Sequence, residues 1–127
     1  MTITEQKAAQ RKAGIAARRA LSDTERTSSN AALCARIMAL DCFKRAENIL
    51  LYAAFGGEAD LSTLAVEAAR QGKTLAYPVC GEGFSLTAAV PGPDGWEVGT
   101  YGIRTPILSR SAVLPPDKLD LVLVPCT

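Results

Sequence analysis

Apolar residues recur at helical spacing through the first forty positions and then gather into short dense runs, so the chain reads as helices followed by strands. Between residues 4 and 20 alanines and charges segregate to opposite faces, the pattern of an amphipathic helix. Ser22-Asp23-Thr24-Glu25 places a serine three positions before a glutamate, a capping box that predicts the start of a second helix. Leu33, Ile37 and Leu40 give that helix an i, i+4, i+7 stripe, and residues 41–48 are expected to turn the chain.

Ile49-Leu50-Leu51-Tyr52-Ala53 is a continuous apolar run ahead of Gly56-Gly57, the look of a strand buried on both faces. Asp60 is placed to cap a helix running through Arg70, with Leu61, Leu64, Ala65 and Ala68 on one side and Gly72 at its end. Residues 74–79 then read as another strand. Strand, helix and strand within about 30 residues form a βαβ crossover, which implies a parallel pair and ligand binding beyond the carboxyl ends of the strands. Residues 56–58 sit at such an end. A further strand is expected over 84–90, a Pro- and Gly-rich loop with at most short extended pieces over 91–116, and a last strand over 119–124. Only Pro125-Cys126-Thr127 follows it here, whereas a parallel strand normally feeds a ligand loop and a covering helix. The expected class is α/β with a largely parallel sheet and two N-terminal helices.

Composition narrows the chemistry. With 127 residues, 48% hydrophobic and 21% charged, the chain has the make-up and size of one domain able to hold a core without staples. It contains no histidine, which excludes Ser-His-Asp and Cys-His catalysis, HExxH zinc sites and the usual neutral-pH proton shuttle. Cys34, Cys42, Cys80 and Cys126 lack CxxC spacing and read as reduced structural thiols rather than metal ligands or disulfides. The net charge of +1 gives no global field to draw DNA or an anionic membrane. Charge is nevertheless local. Residues 1–20 hold five cations against one anion, while the remainder holds nine against twelve. No apolar run reaches the roughly 18 residues of a bilayer span and no secretory h-region is present, so a cytosolic protein is expected. The basic start lacks the serine content of a transit peptide, and an ordinary first helix explains it better.

Candidate chemistry lies in three places. At 100° per residue, Lys7, Arg11 and Arg18 fall within about 40° on one face of the first helix, with Ala9, Ala13, Ala16 and Ala20 opposite. Such a stripe suits a solvated face, a phosphate or polyphosphate, or RNA, and Gly14 on the same stripe permits close approach. Glu58, after the twin glycines, reads either as a carboxylate that binds a ligand or acts as a base, or as an exposed turn residue. Trp96 and Tyr101 could stack on a flat heterocycle or cap the core. Walker A, GxGxxG and GxSxG motifs are all absent from the sequence.

These residues resemble the 5-formyltetrahydrofolate cyclo-ligase family. The likeness runs through Lys7-x3-Arg11, Arg18-x2-Leu21-Ser22, Glu25-Arg26, the run 49–52 with Gly57-Glu58-Ala59-Asp60-Leu61, Gly72-Lys73-x-Leu75-Ala76-Tyr77-Pro78, Tyr101-Gly102-Ile103-x2-Pro106, and Leu119-Asp120-Leu121-Val122-Leu123-Val124-Pro125. It implies a three-layer α/β/α domain, incomplete at the C-terminus, belonging to an enzyme of folate one-carbon metabolism. That enzyme uses ATP and Mg²⁺ to convert 5-formyltetrahydrofolate to 5,10-methenyltetrahydrofolate, releasing ADP and phosphate. The formyl oxygen would be phosphorylated first, and a neighbouring folate nitrogen would then attack the activated carbon and displace phosphate. The resemblance assigns Lys7 and Arg11 to ATP phosphates, Glu58 to the folate and Tyr101 to packing on the pterin, with Arg18 a weaker match.

Two departures accompany the likeness. Thr105 stands where the family usually has an acidic or amide residue, and the family's later Phe-Asp pair and glycine-rich basic segment are not among these residues. The 127 residues are therefore expected to turn over poorly, because phosphoryl transfer loses electrostatic stabilisation without those contacts. The alternative is a non-catalytic nucleotide- or RNA-binding module that uses the basic helix. A sugar-phosphate isomerase or CoA-transferase type of enzyme shares the architecture by analogy alone.

Overall fold

The computed structural model describes residues 1–83, 85–99 and 102–125. Helix α1 spans Ile3–Arg19 and α2 spans Asp23–Met38. Both open on capping boxes. The Ser22 hydroxyl accepts the Glu25 N–H while the Glu25 carboxylate accepts the Ser22 N–H, and Thr2 and Glu5 repeat the arrangement, all at 3.1 Å. Residues 41–48 do more than turn. Leu40 O accepts the N–H groups of Phe43 and Lys44, both at 3.1 Å, to start the short helix α3, Asp41–Arg45, which buries Phe43. Spacing could not register so short an element, because one apolar residue has no periodicity.

Strand β1 is Asn48–Leu50, helix α4 is Ser62–Arg70, and β2 is Thr74–Cys80. Strand β3, Leu86–Pro91, follows. The segment expected to be mostly loop contains β4, Trp96–Val98, β5, Arg104–Pro106, and β6, Ser111–Leu114. Turns rich in Gly and Pro divide it into pieces of three or four residues, too short for alternation to show. Strand β7 pairs formally only at Leu121–Val122, and the bonds Asp120 N–H to Asn48 O and Leu123 N–H to Leu50 O, both 2.9 Å, extend its contact with β1 on either side.

The main sheet has the order β6-β3-β2-β1-β7, and β4 and β5 form a separate antiparallel hairpin. β1 is parallel to both β2 and β7, while β3 runs antiparallel to its neighbours β2 and β6. Four of the five strands therefore point the same way, and the expected βαβ unit is β1-α4-β2. Register aligns Ile49 with Leu75 and with Leu121, so these residues share one face. Cys34 of α2, Phe43 of α3, and Leu64 and Ala68 of α4 cover that face, forming one core with Ile49 and Leu51. The opposite face carries Leu50 and Val122, and Val122 is 47% exposed. Helix α1 buries no residue. Of the cysteines expected to be structural, Cys34 is buried, whereas Cys42 and Cys80 are exposed.

Two side chains lock the amino-terminal end of the sheet. Asp120 Oδ2 accepts the backbone N–H groups of Glu47 at 3.0 Å and Asn48 at 2.9 Å, and these bonds hold its carboxyl below its usual value. Lys73 donates to Lys44 O at 3.1 Å and Ala46 O at 2.6 Å, and its ammonium lies 5.1 Å from the centroid of the Phe43 ring. Lys73 thus supplies donors to carbonyls at the end of α3.

Lys73→Met should reduce unfolding free energy in urea by about 1–2 kcal/mol, the scale of lost charge-assisted hydrogen bonds. The Asp120 clamp is a lowered-pKa carboxylate, so its stabilisation is present above the ordinary value of 3.8 and is lost as pH falls through the lower native value. Amide exchange at Glu47 and Asn48, corrected for intrinsic rate, should accelerate over that acid window, and Asp120→Ala should show the acceleration already at neutral pH.

Candidate functional site

The chain leaves β1 towards β2 on one side, and β7 returns on the other, so strand order reverses at β1. Loops that diverge at such a point open a crevice beyond the strand carboxyl ends. A cleft of about 560 Å³ lies there. Its walls include Tyr52 and Glu58 after β1, Leu123 and Pro125 after β7, and Arg18, Arg26 and Asn30 from the first two helices.

The loop after β1 is shaped by its own hydrogen bonds. Phe55 N–H donates to Glu58 Oε1 at 2.9 Å, Glu58 N–H donates to Phe55 O at 3.1 Å, and the Tyr52 hydroxyl donates to Ala59 O at 2.8 Å. Gly56 and Gly57 occupy the left-handed region, with φ of 61° and 82°. A Cβ on Gly57 would lie 2.9 Å from Arg18 Cδ and 3.1 Å from Arg26 Nη1, whereas one on Gly56 would meet nothing within 4 Å. Gly57 therefore lets the loop rest against two arginine side chains. One Glu58 oxygen closes the turn, and the side chain is half-buried, not exposed, and lines the cleft.

Lys7 and Arg11 are exposed on α1 and do not line this cleft. At 1.5 Å per residue they lie about 16 Å and about 10 Å along the helix axis from Arg18, the member of their stripe that the fold brings beside Glu58. Arg11 instead borders a shallow groove on α1 with Lys12, Ile15 and Arg19. Tyr101 falls outside the described residues. Arg26, which the sequence shows only within the Glu25-Arg26 pair, donates from its guanidinium to Arg18 O at 2.6 Å and Leu21 O at 3.3 Å, closing the corner between α1 and α2. Its position in the first turns of α2, where a cation opposes the helix dipole, is a sequence signal that could have marked it.

A second cleft of about 280 Å³ shares Tyr52 and Leu61 with the first and lies between the start of α4 and the β4–β5 hairpin. Trp96 packs edge-on against Tyr77, with ring centroids 4.7 Å apart and planes at 70°, and the Arg104 guanidinium lies 4.5 Å from the Trp96 centroid. Burial raises the Tyr77 pKa, and the Arg104 charge partly opposes that rise. Asp60 accepts the Ser62 N–H at 2.9 Å and the Ser62 hydroxyl. Trp96 thus both packs on Tyr77 and lines a cleft.

Among the described residues no three His, Cys, Asp or Glu side chains gather to hold a metal ion. They do not form a protein cage for magnesium.

This is an α/β domain whose switch-point crevice, beyond the carboxyl ends of parallel strands, is lined by two arginines and a carboxylate. The chain belongs to the 5-formyltetrahydrofolate cyclo-ligase family, whose family model matches residues 3–127. It is similar to the solved 5,10-methenyltetrahydrofolate synthetase of Aquifex aeolicus, with 28% identity and a TM-score of 0.78 over 93% of this chain and 59% of that one. The 5,10-methenyltetrahydrofolate synthetase of Mycoplasma pneumoniae shares the fold, at 17% identity and a TM-score of 0.71 over 94% of this chain and 63% of that one. The chain therefore spans about three-fifths of the length of these two structures. No curated protein sequence matches it. No helix among the described residues is long and apolar enough to cross a membrane.

Gly56→Ala and Gly57→Ala should each lose about 1–2 kcal/mol from the left-handed backbone alone, measured by urea unfolding. Only Gly57→Ala should shift the guanidinium resonances of Arg18 and Arg26 in NMR spectra, because only there would the new methyl meet them.

Proposed function

We propose that these residues contribute the folate-binding crevice and the nucleotide-binding helix of a cytoplasmic enzyme that converts 5-formyltetrahydrofolate to 5,10-methenyltetrahydrofolate with ATP. The observation that carries the reading is that Glu58, Arg18 and Arg26 line one cleft at the β1/β7 switch point. Family membership supports it. In this reading Glu58 holds the folate through its carboxylate, Tyr101 packs on the pterin, and Lys7 and Arg11 hold ATP phosphates along the stripe that ends at Arg18.

The chemistry suits a chain without histidine. ATP transfers its γ-phosphoryl group to the formyl oxygen and is released as ADP, a folate nitrogen attacks the activated carbon and loses its proton, and the C–O bond breaks so that phosphate leaves with the former formyl oxygen as the ring closes. Charge develops on phosphoryl oxygens throughout, so guanidinium and ammonium groups provide the main stabilisation.

Calorimetric titration of the 127-residue chain tests the reading. Glu58→Gln should weaken 5-formyltetrahydrofolate binding about tenfold, and Lys7→Met or Arg11→Met should weaken ATP binding by a similar factor with folate affinity preserved. Product formation, followed by the absorbance of the methenyl product, should require ATP. It should be slow for these residues alone, because the family's glycine-rich basic segment is not among them. Failure to bind 5-formyltetrahydrofolate overturns the reading, and salt-dependent binding to RNA in its place would support the module alternative.

A further inference from the structure

The second cleft has a chemistry of its own that the roles assigned to Glu58, Lys7 and Arg11 leave unused. Arg104 is exposed, its guanidinium is held over the Trp96 ring, and among the described residues it has no carboxylate partner and no hydrogen-bond acceptor. The guanidinium carbon lies 4.5 Å from the Trp96 centroid. The N–H donors lie around the edge of the guanidinium plane, where a planar carboxylate can take two of them at once. Asp60, which also lines this cleft, already has one carboxylate oxygen engaged by the two donors of Ser62. The other walls include the rings of Tyr52, Tyr77 and Trp96 and apolar groups such as Leu61 and Ala65. A cation at the rim of an aromatic-walled slot suits a ligand portion made of a flat ring that ends in a carboxylate.

Size and connection decide which portion. At about 280 Å³ the slot lies near the lower limit for small-molecule pockets and takes part of a ligand. It meets the larger Glu58 cleft at Tyr52 and Leu61, which line both. A folate is a pterin, an aminobenzoyl ring and a glutamate in sequence, so a ligand whose pterin end reaches Glu58 can continue past Tyr52 into the slot. Resting on the function proposed above, we infer that Arg104, held over Trp96, binds a carboxylate of the glutamate tail and selects glutamylated folates over pteroates.

Calorimetric binding of 5-formyltetrahydrofolate and of 5-formyltetrahydropteroate, which lacks the glutamate, tests the inference on the 127-residue chain. The unaltered chain should bind the folate about tenfold more tightly or better, the scale of one charge-assisted contact. Arg104→Met should abolish that preference while leaving pteroate affinity within about twofold. Arg104→Lys, which keeps a charge but not the planar fork, should retain part of the preference and serves as the second variant if the methionine variant has a lowered melting temperature. If both ligands bind and neither variant changes the preference, the guanidinium serves only to cap Trp96, and the assignment falls while the folate reading stands. Binding of neither ligand overturns the folate reading and this assignment with it.

Discussion

Strand β1 has only three residues, yet both of its edges are hydrogen-bonded to parallel neighbours. So short a strand persists because its central side chain, and that of the residue just past its end, are buried. Ile49 and Leu51 are 0% and 1% exposed, and they carry the core shared with α2, α3 and α4. An apolar strand at the centre of a parallel sheet must deliver the chain, at its carboxyl end, to a point where neighbouring loops diverge. Tyr52, the twin glycines and Glu58 lie just beyond that end, so the position of the crevice is a consequence of how the core is packed.

The two ends of the sheet are used differently. At the amino-terminal end Asp120 and Lys73 spend their charges on backbone groups, tying β7 to β1 and α3 to β2. At the carboxyl end Arg18, Arg26, Glu58 and Arg104 stand around cleft walls. Glycine makes this possible at Gly57, where a side chain would occupy the space of Arg18 and Arg26. Charged side chains therefore tie the fold together at one end and line clefts at the other, and composition alone does not separate these uses.

Helix α1 stands apart from this division because it buries nothing. Its capping box and its charge pattern suffice to define it as a helix, and packing contributes little to that choice. Its cationic stripe reaches the crevice only through Arg18, so the roles proposed for Lys7 and Arg11 depend on a ligand long enough to run along the helix.

Local physics in the sequence determined the two opening helices, the βαβ unit and the Gly57-Glu58 corner, because capping boxes, periodic apolar faces and paired glycines act within a few residues. The absence of histidine likewise excludes histidine-based chemistry from these residues. Helix α3, the β4–β5 hairpin and β6 were decided by tertiary structure, since elements of three to five residues hold their shape through neighbours far along the chain. The same is true of the side chains. That Arg18 rather than Lys7 meets Glu58, that Lys73 caps α3, and that Arg104 settles on Trp96 are matters of distance between separate elements, which no spacing along a single helix or strand encodes.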